Sequence, residues 1–244
     1  MLRVEGITRS FSGFRALAGV GFDAERGRVT AVIGPNGAGK TTLFNVLTGH
    51  LKPDGGRILF QNNNIAGAKP HQVFRLGVAR SFQLTNVFNR LTVLENVQVA
   101  LLSRAGRSGS LSRGSLSECA ARARELLDRV GLDGWAGQNA GRLSYGDQKL
   151  LEIGMALAGR PELLLLDEPT AGMSPEETAA TAGLIRRLPG EGVTVLFTEH
   201  DMDLVFGLAD KIVVLNQGLC IAQGPPDEVR AIAAVQKAYL GVEA

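Results

Sequence analysis

Apolar residues fall along this chain in two rhythms. Short runs with little polar interruption, Val29 to Ile33 (VTAVI), Leu163 to Leu166 (LLLL) and Val193 to Thr198 (VTVLFT), suit strands buried on both faces of a parallel sheet. Stretches with three- and four-residue spacing read as helices: Thr41 to Leu47, Leu91 to Leu102 (LTVLENVQVALL), Cys119 to Val130, and KLLEIGMALA after Gln148. Thr92 and Glu95 are spaced for a capping box at the second of these, and Ser144 and Asp147 at the last. From Leu2 to Phe22 the runs are short and broken by glycine, which reads as antiparallel β structure, and Arg57 to Phe60 and Asn62 to Ile65 suggest strand and turn. Lys211 to Leu215, a turn at Asn216-Gln217-Gly218, and Cys220 to Gln223 read as a hairpin, followed by a helical tail from Pro226 to Leu240.

Ser103 to Ser117 breaks the pattern. It holds six Ser, three Gly and three Arg without apolar periodicity, and a solvated flexible connector is a better reading than a basic patch. The region from about Phe82 to Gly141 looks helical and lies between two α/β portions. The long interval from Lys40 to Asp167 exceeds what consecutive strands of one sheet need, so a helical insertion is implied. The expected fold class is α/β. A mainly parallel core sheet carries an antiparallel β subdomain at the N-terminus and an inserted α-helical subdomain. The chain 1–244 is one domain, with residues 1–82 and 142–244 in the core and β subdomain, residues 83–141 in the insertion, and the flexible loop at 103–117.

Candidate chemistry sharpens this picture. Between the VTAVI strand and the helix after it lies GPNGAGKTT: Gly34, Pro35, Asn36, Gly37, Ala38, Gly39, Lys40, Thr41 and Thr42. The pattern G-x-x-x-x-G-K-[ST] is filled by Gly34, Gly39, Lys40 and Thr41, in the strand–loop–helix context that makes it meaningful. Glycines let consecutive N–H groups curl around a polyphosphate, and the helix N-terminus adds its positive dipole end. Lys40 can reach the β- and γ-phosphates and the Thr41 hydroxyl can ligate Mg²⁺. A dinucleotide fingerprint fails, because Gly37-Ala-Gly39 would need Gly or Ala at position 42, which is Thr. The core is therefore expected to be of the P-loop NTPase kind.

Two further strand ends carry polar residues. LLLL runs into Asp167-Glu168, adjacent carboxylates that are costly near a core and so point to functional acids. VTVLFT runs into Glu199-His200-Asp201. His200 could be a helix cap, but at the end of a buried strand it more plausibly faces the same crevice. On spacing alone, a capping role and a phosphate-facing role for Ser144 are comparable. A lone Phe11 reads first as a packed core residue.

Composition narrows the classes without adding a site. Hydrophobic residues make up 45% and charged residues 20%, as in ordinary globular domains. The formal charge of +2 gives no bulk electrostatic case for a nucleic-acid partner. Cys119 and Cys220 form no metal or redox pair, and a reduced cytosolic setting fits them. No signal peptide or membrane-length apolar run is evident, so work at a membrane would go through a partner.

Taken together these residues resemble the ATP-binding cassette ATPases of ABC transporters over essentially the whole chain. GPNGAGKTT is similar to the Walker A loop and LLLLDEP to the Walker B strand; Gln83 falls at the Q-loop glutamine and His200 at the switch histidine. Phe11 falls where that family has an adenine-stacking aromatic, which reverses the packed-core preference. LSYGDQ resembles the LSGGQ signature, with Tyr145 for Gly and Asp147 for Gln, while the phosphate-facing Ser144 and Gly146 are kept. Ser174 stands where many members have Asp, which puts that loop's usual cross-dimer contact in doubt. The stretches LTVLENV, LSYGDQKLLEIGMALA, DEPTAGMSPEET, EHDMDLVFGLADKIVVLNQG and AVQKAYLG resemble the branched-chain (leucine/isoleucine/valine) amino acid importer ATPases.

The resemblance implies an ATPase using ATP and Mg²⁺. Thr41, Gln83 and Asp167 would hold the metal, Glu168 would polarise the water, and His200 and Lys40 would stabilise the transferring phosphoryl group. It implies pairing with a second ATPase subunit, each ATP lying between one Walker A and the other's Ser144 and Gly146. It also implies docking on transmembrane permease subunits at the cytoplasmic face of the plasma membrane, an indirect link to an extracytoplasmic substrate-binding protein, and no nucleic acid. Alternatives are a cassette importing urea, amides or aromatic acids, a lipid exporter, or a non-transport cassette ATPase. The last of these usually carries two cassettes or long coiled coils, and neither is present here.

Overall fold

The computed structural model describes residues 1–81, 87–104, 113–233 and 235–236. Strands β1 (Leu2–Phe11) and β2 (Phe14–Ala24) open the chain as an antiparallel pair, followed by β3 (Val29–Ile33) and helix α1 (Lys40–Leu47). Next come β4 (Gly55–Phe60), β5 (Asn63–Asn64), α2 (Pro70–Arg75) and β6 (Val78–Arg80). Helices α3 (Val93–Arg104), α4 (Arg113–Arg129) and α5 (Tyr145–Ala158) precede β7 (Leu163–Asp167) and α6 (Pro175–Arg187). The chain continues through β8 (Thr194–Thr198), α7 (Met202–Leu208), β9 (Lys211–Asn216), β10 (Leu219–Gly224) and α8 (Pro226–Arg230).

Two sheets result. The N-terminal one has the order β2-β1-β4-β5 and is antiparallel. The core sheet has the order β10-β9-β3-β8-β7-β6 and is parallel except for β10, which returns beside β9. Every residue of β3, β7 and β8 is buried, as strands covered on both faces must be. Alternation sorts their side chains between two packed layers. Leu164, Leu166, Val195 and Phe197 pack with the helical side, including Leu151 and Ile153 of α5. Leu163, Leu165 and Leu196 pack with α1 and the antiparallel sheet, through Leu43, Leu47, Val4 and Ile58. The carboxyl ends of β3, β7 and β8 therefore share one rim of the sheet, with Arg80 at the end of β6 beside them.

Local chemistry sets the element ends. At α3, Thr92 Oγ1 accepts from Glu95 N–H at 3.1 Å and Glu95 Oε2 accepts from Thr92 N–H at 2.7 Å, the reciprocal box read from sequence. Only half of the corresponding box forms at α5. Ser144 Oγ accepts from Asp147 N–H at 3.0 Å, and Asp147, one methylene shorter than the Glu or Gln usual there, makes no return bond. Ser144 Oγ instead donates to Glu177 Oε1 at 2.7 Å. The β9–β10 turn is docked rather than free: Gly218 N–H donates to Ala38 O at 3.0 Å, and Gly218 O accepts from Ala18 N–H at 2.8 Å.

Two sequence expectations are corrected in their bounds. Both ends of the connector expected over 103–117 are helical, since α3 runs to Arg104 and α4 starts at Arg113; residues 105–112 lie outside the described residues. Serine and glycine mark helix ends as readily as loops, so composition misplaced that boundary. The helical tail expected from Pro226 to Leu240 is interrupted: α8 ends at Arg230 with Ala231 as its cap, helix resumes at 233 and 235–236, and 234 and 237–244 lie outside the described residues.

Candidate active site

Strand β3 delivers the chain into Gly34, and α1 begins at Lys40 with Gly39 as its N-cap at φ 104°. A Cβ on Gly39 would stand 2.6 Å from Ala16 O, so both the backbone angle and the close approach of β2 require glycine. Lys40 is buried, and its Nζ donates to Gly34 O at 2.5 Å and Pro35 O at 3.2 Å. Burial pushes the ammonium pKa down, while Glu168 and Asp167 pull it back up. The loop borders a cleft of about 390 Å³ lined by Phe11, Phe14, Ala16, residues 36–42 and Glu168. Phe11 is 40% exposed, with the Arg9 guanidinium 4.8 Å from its ring centroid. Phe14, which the sequence reading passed over, is a second exposed ring at the same mouth.

The two acids have different surroundings. Asp167 is almost fully buried; its Oδ2 accepts from Arg80 Nη2 at 2.7 Å and its Oδ1 from Thr198 Oγ1 at 2.8 Å. Glu168 turns into the cleft with φ 49°, an uncommon angle for a residue with a side chain. Its N–H donates to both Thr198 O and Thr198 Oγ1 at 3.1 Å, which holds that conformation. Glu168 Oε1 lies 3.0 Å from His200 Nε2, and the imidazole is 45% exposed. Glu199 faces inward instead, accepting from Thr170 N–H at 2.8 Å, Thr170 Oγ1 at 2.6 Å and His200 N–H at 3.1 Å.

Lys40, Thr41, Asp167, Glu168 and His200 thus gather on the rim where the strands end. Ser144 and Gly146, at the start of α5, do not line this cleft, and Gln83 lies outside the described residues. Sequence reasoning missed Arg80, Thr198 and Glu177, and it named Glu199 at the strand end without giving it a role. Thr198 alone carried a signal, as the last residue of a buried strand beside two flagged positions.

The donor set fits a nucleotide triphosphate with a hard cation. A glycine-shaped cradle, a buried ammonium and the N-terminus of α1 converge on one side. Thr41 is exposed in the first turn, and Asp167 ends β7 on the same rim of the sheet. Among the described residues no cluster of three or more His, Cys, Asp and Glu could hold a metal unaided. Mg²⁺ suits such a site, since it keeps waters and relies on few carboxylates plus substrate phosphates.

Residues 17–171 match the family model described as ABC transporter. The chain belongs to the ABC transporter family. It is an ATP-binding, ATP-hydrolysing cassette, and its last residues, 220–244, match a second model, the branched-chain amino acid ATP-binding cassette transporter. The cassette is 42% identical over 250 residues to the high-affinity branched-chain amino acid transport ATP-binding protein LivG of Escherichia coli K12, covering 99% of this chain and 98% of that protein. It matches BraF of Pseudomonas aeruginosa to the same extent. Among solved structures it superposes on the ADP conformation of MJ1267, an ATP-binding cassette of an ABC transporter, with a TM-score of 0.86 at 34% identity and 99% coverage of both chains. Among the described residues no helix of the cassette is long and apolar enough to cross a membrane.

Lys40→Ala is expected to weaken ATP binding about 10- to 100-fold, the worth of hydrogen bonds from a charged donor. Titration with a fluorescent ATP analogue reads this directly.

Proposed function

We propose that this cassette energises the import of branched-chain amino acids from the cytoplasmic face of the plasma membrane, docked on permease subunits that receive cargo from an extracytoplasmic binding protein. The observation that carries the cargo is likeness beyond the shared motor motifs: near-full-length identity to LivG and BraF, together with the match of residues 220–244. The ATP site itself never meets the amino acid.

In the mechanism, Phe11 stacks on the adenine while the amides of the 34–39 loop and Lys40 Nζ hold the β- and γ-phosphates. Thr41, Asp167 and Gln83 would hold Mg²⁺, which would supply neutralisation of phosphate charge. Glu168 polarises the attacking water, and His200, hydrogen-bonded to Glu168, steadies charge on the transferring phosphoryl group. A second cassette closes head to tail, presenting its Ser144 hydroxyl and Gly146 amide at a helix N-terminus to the γ-phosphate. Closure then depends on that phosphate, and Gln83 conveys it to the permease.

Deleting the gene should lower uptake of radiolabelled leucine, isoleucine or valine in the native cell, and Lys40→Ala should fail to restore it. Unchanged uptake of all three, in a strain lacking redundant transporters, would discard the cargo and leave the ATPase.

A further inference from the structure

Glu177, in the first turn of α6, is lodged against the N-terminus of α5. Its Oε1 accepts from Ser144 Oγ at 2.7 Å, and its carboxylate lies against the backbone of Gly146. A Cβ on Gly146 would stand 2.4 Å from Glu177 Cδ, so the approach is as close as glycine permits. The second oxygen, Oε2, accepts from Ser174 N–H at 2.9 Å and completes the capping box of α6. An anion thus sits where a hydroxyl and the N-terminus of a fourteen-residue helix converge.

Those are the donors that the mechanism above gives to the γ-phosphate of an ATP held by a second cassette. We propose that Glu177 is a positioning residue of this composite site, its carboxylate holding the Ser144 hydroxyl beside Gly146 at the helix start until the γ-phosphate displaces it. The inference rests on the two-cassette reading. Two anions cannot share one set of donors, so closure must break the Ser144–Glu177 bond. The released carboxylate keeps its place at Ser174, because the capping-box bond uses the other oxygen. Closure therefore carries a threshold that only a nucleotide with a γ-phosphate meets.

Glutamine at position 177 retains the capping-box reach but loses the charge, which separates phosphate competition from helix stability. In the Glu168→Gln background, sedimentation with Mg²⁺-ATP should show Glu177→Gln and Glu177→Ala pairing at ~10-fold lower protein concentration, the charge-assisted bonds being about twice as strong as neutral ones. ATP affinity of the single cassette and the melting temperature of Glu177→Gln should stay at their parent values, which a purely structural role would not allow. Pairing of Glu177→Gln at the parent concentration or above overturns the proposal. No ATP-dependent pairing in the background or either variant overturns the two-cassette reading, and this proposal with it.

Discussion

Glu168→Gln is expected to bind ATP as tightly as the parent while turning it over at least ~10²-fold more slowly, the usual worth of a positioned base. The side chain reaches into the cleft from a backbone held at φ 49°, and its Oε1 meets His200 Nε2 at 3.0 Å. Glutamine preserves shape and leaves the Thr198 bonds to the backbone N–H untouched, so geometry is kept while proton acceptance is lost. Phosphate release and equilibrium nucleotide binding, measured on one preparation, separate the two effects. Near-normal release would show that another group activates the water. Under the two-cassette reading the variant should also accumulate as an ATP-bound pair.

Arg80→Met should lower stability by about 3–5 kcal/mol, the cost of removing one partner from a buried ion pair. The Arg80 and Asp167 side chains are 5% and 3% exposed, and the guanidinium ties the end of β6 to β7 and α1. Its Nη2 donates to Asp167 on β7, its Nη1 donates to Asn45 Oδ1 at 2.7 Å on α1, and its Cζ lies 5.6 Å from the Phe44 ring centroid. Methionine fills similar apolar volume but leaves Asp167 Oδ2 without its donor. Adding Asp167→Asn should recover a large part of the loss, because the double variant no longer buries an unmatched carboxylate. Urea unfolding of the parent, both single variants and the double variant completes the cycle. Strictly additive losses would mean that the pair contributes packing rather than charge matching.

Much of the site was legible because its signals are local. GPNGAGKTT, the LLLL–Asp167–Glu168 strand end and VTVLFT–Glu199–His200 each declare an element and a functional terminus within a dozen residues. What escaped depends on strand order. Arg80 reaches Asp167 because β6 lies beside β7, and Thr198 bridges Asp167 and the Glu168 backbone because β8 lies on the other side. Neither adjacency has a trace in the sequence near those residues. Ser144 shows the other failure: its capping role was read from spacing, but its bond to Glu177 spans two helices. The start of α4 was lost because glycine and serine look alike in a loop and at a helix end.

The docked hairpin turn changes what can be built onto this molecule. A tight turn between two antiparallel strands, with glycine at its tip, is the sort of place where an epitope, a fluorophore-bearing peptide or a circular-permutation break is usually accommodated. Here Gly218 is clamped between Ala38 and Ala18, so the turn braces the phosphate loop against β2. Grafting foreign sequence at Gln217–Gly218 would pry the brace from the cradle it supports. A reporter is better carried at the Asp133–Trp135 turn, where Trp135 is exposed and the chain is remote in sequence from every strand end that feeds the cleft.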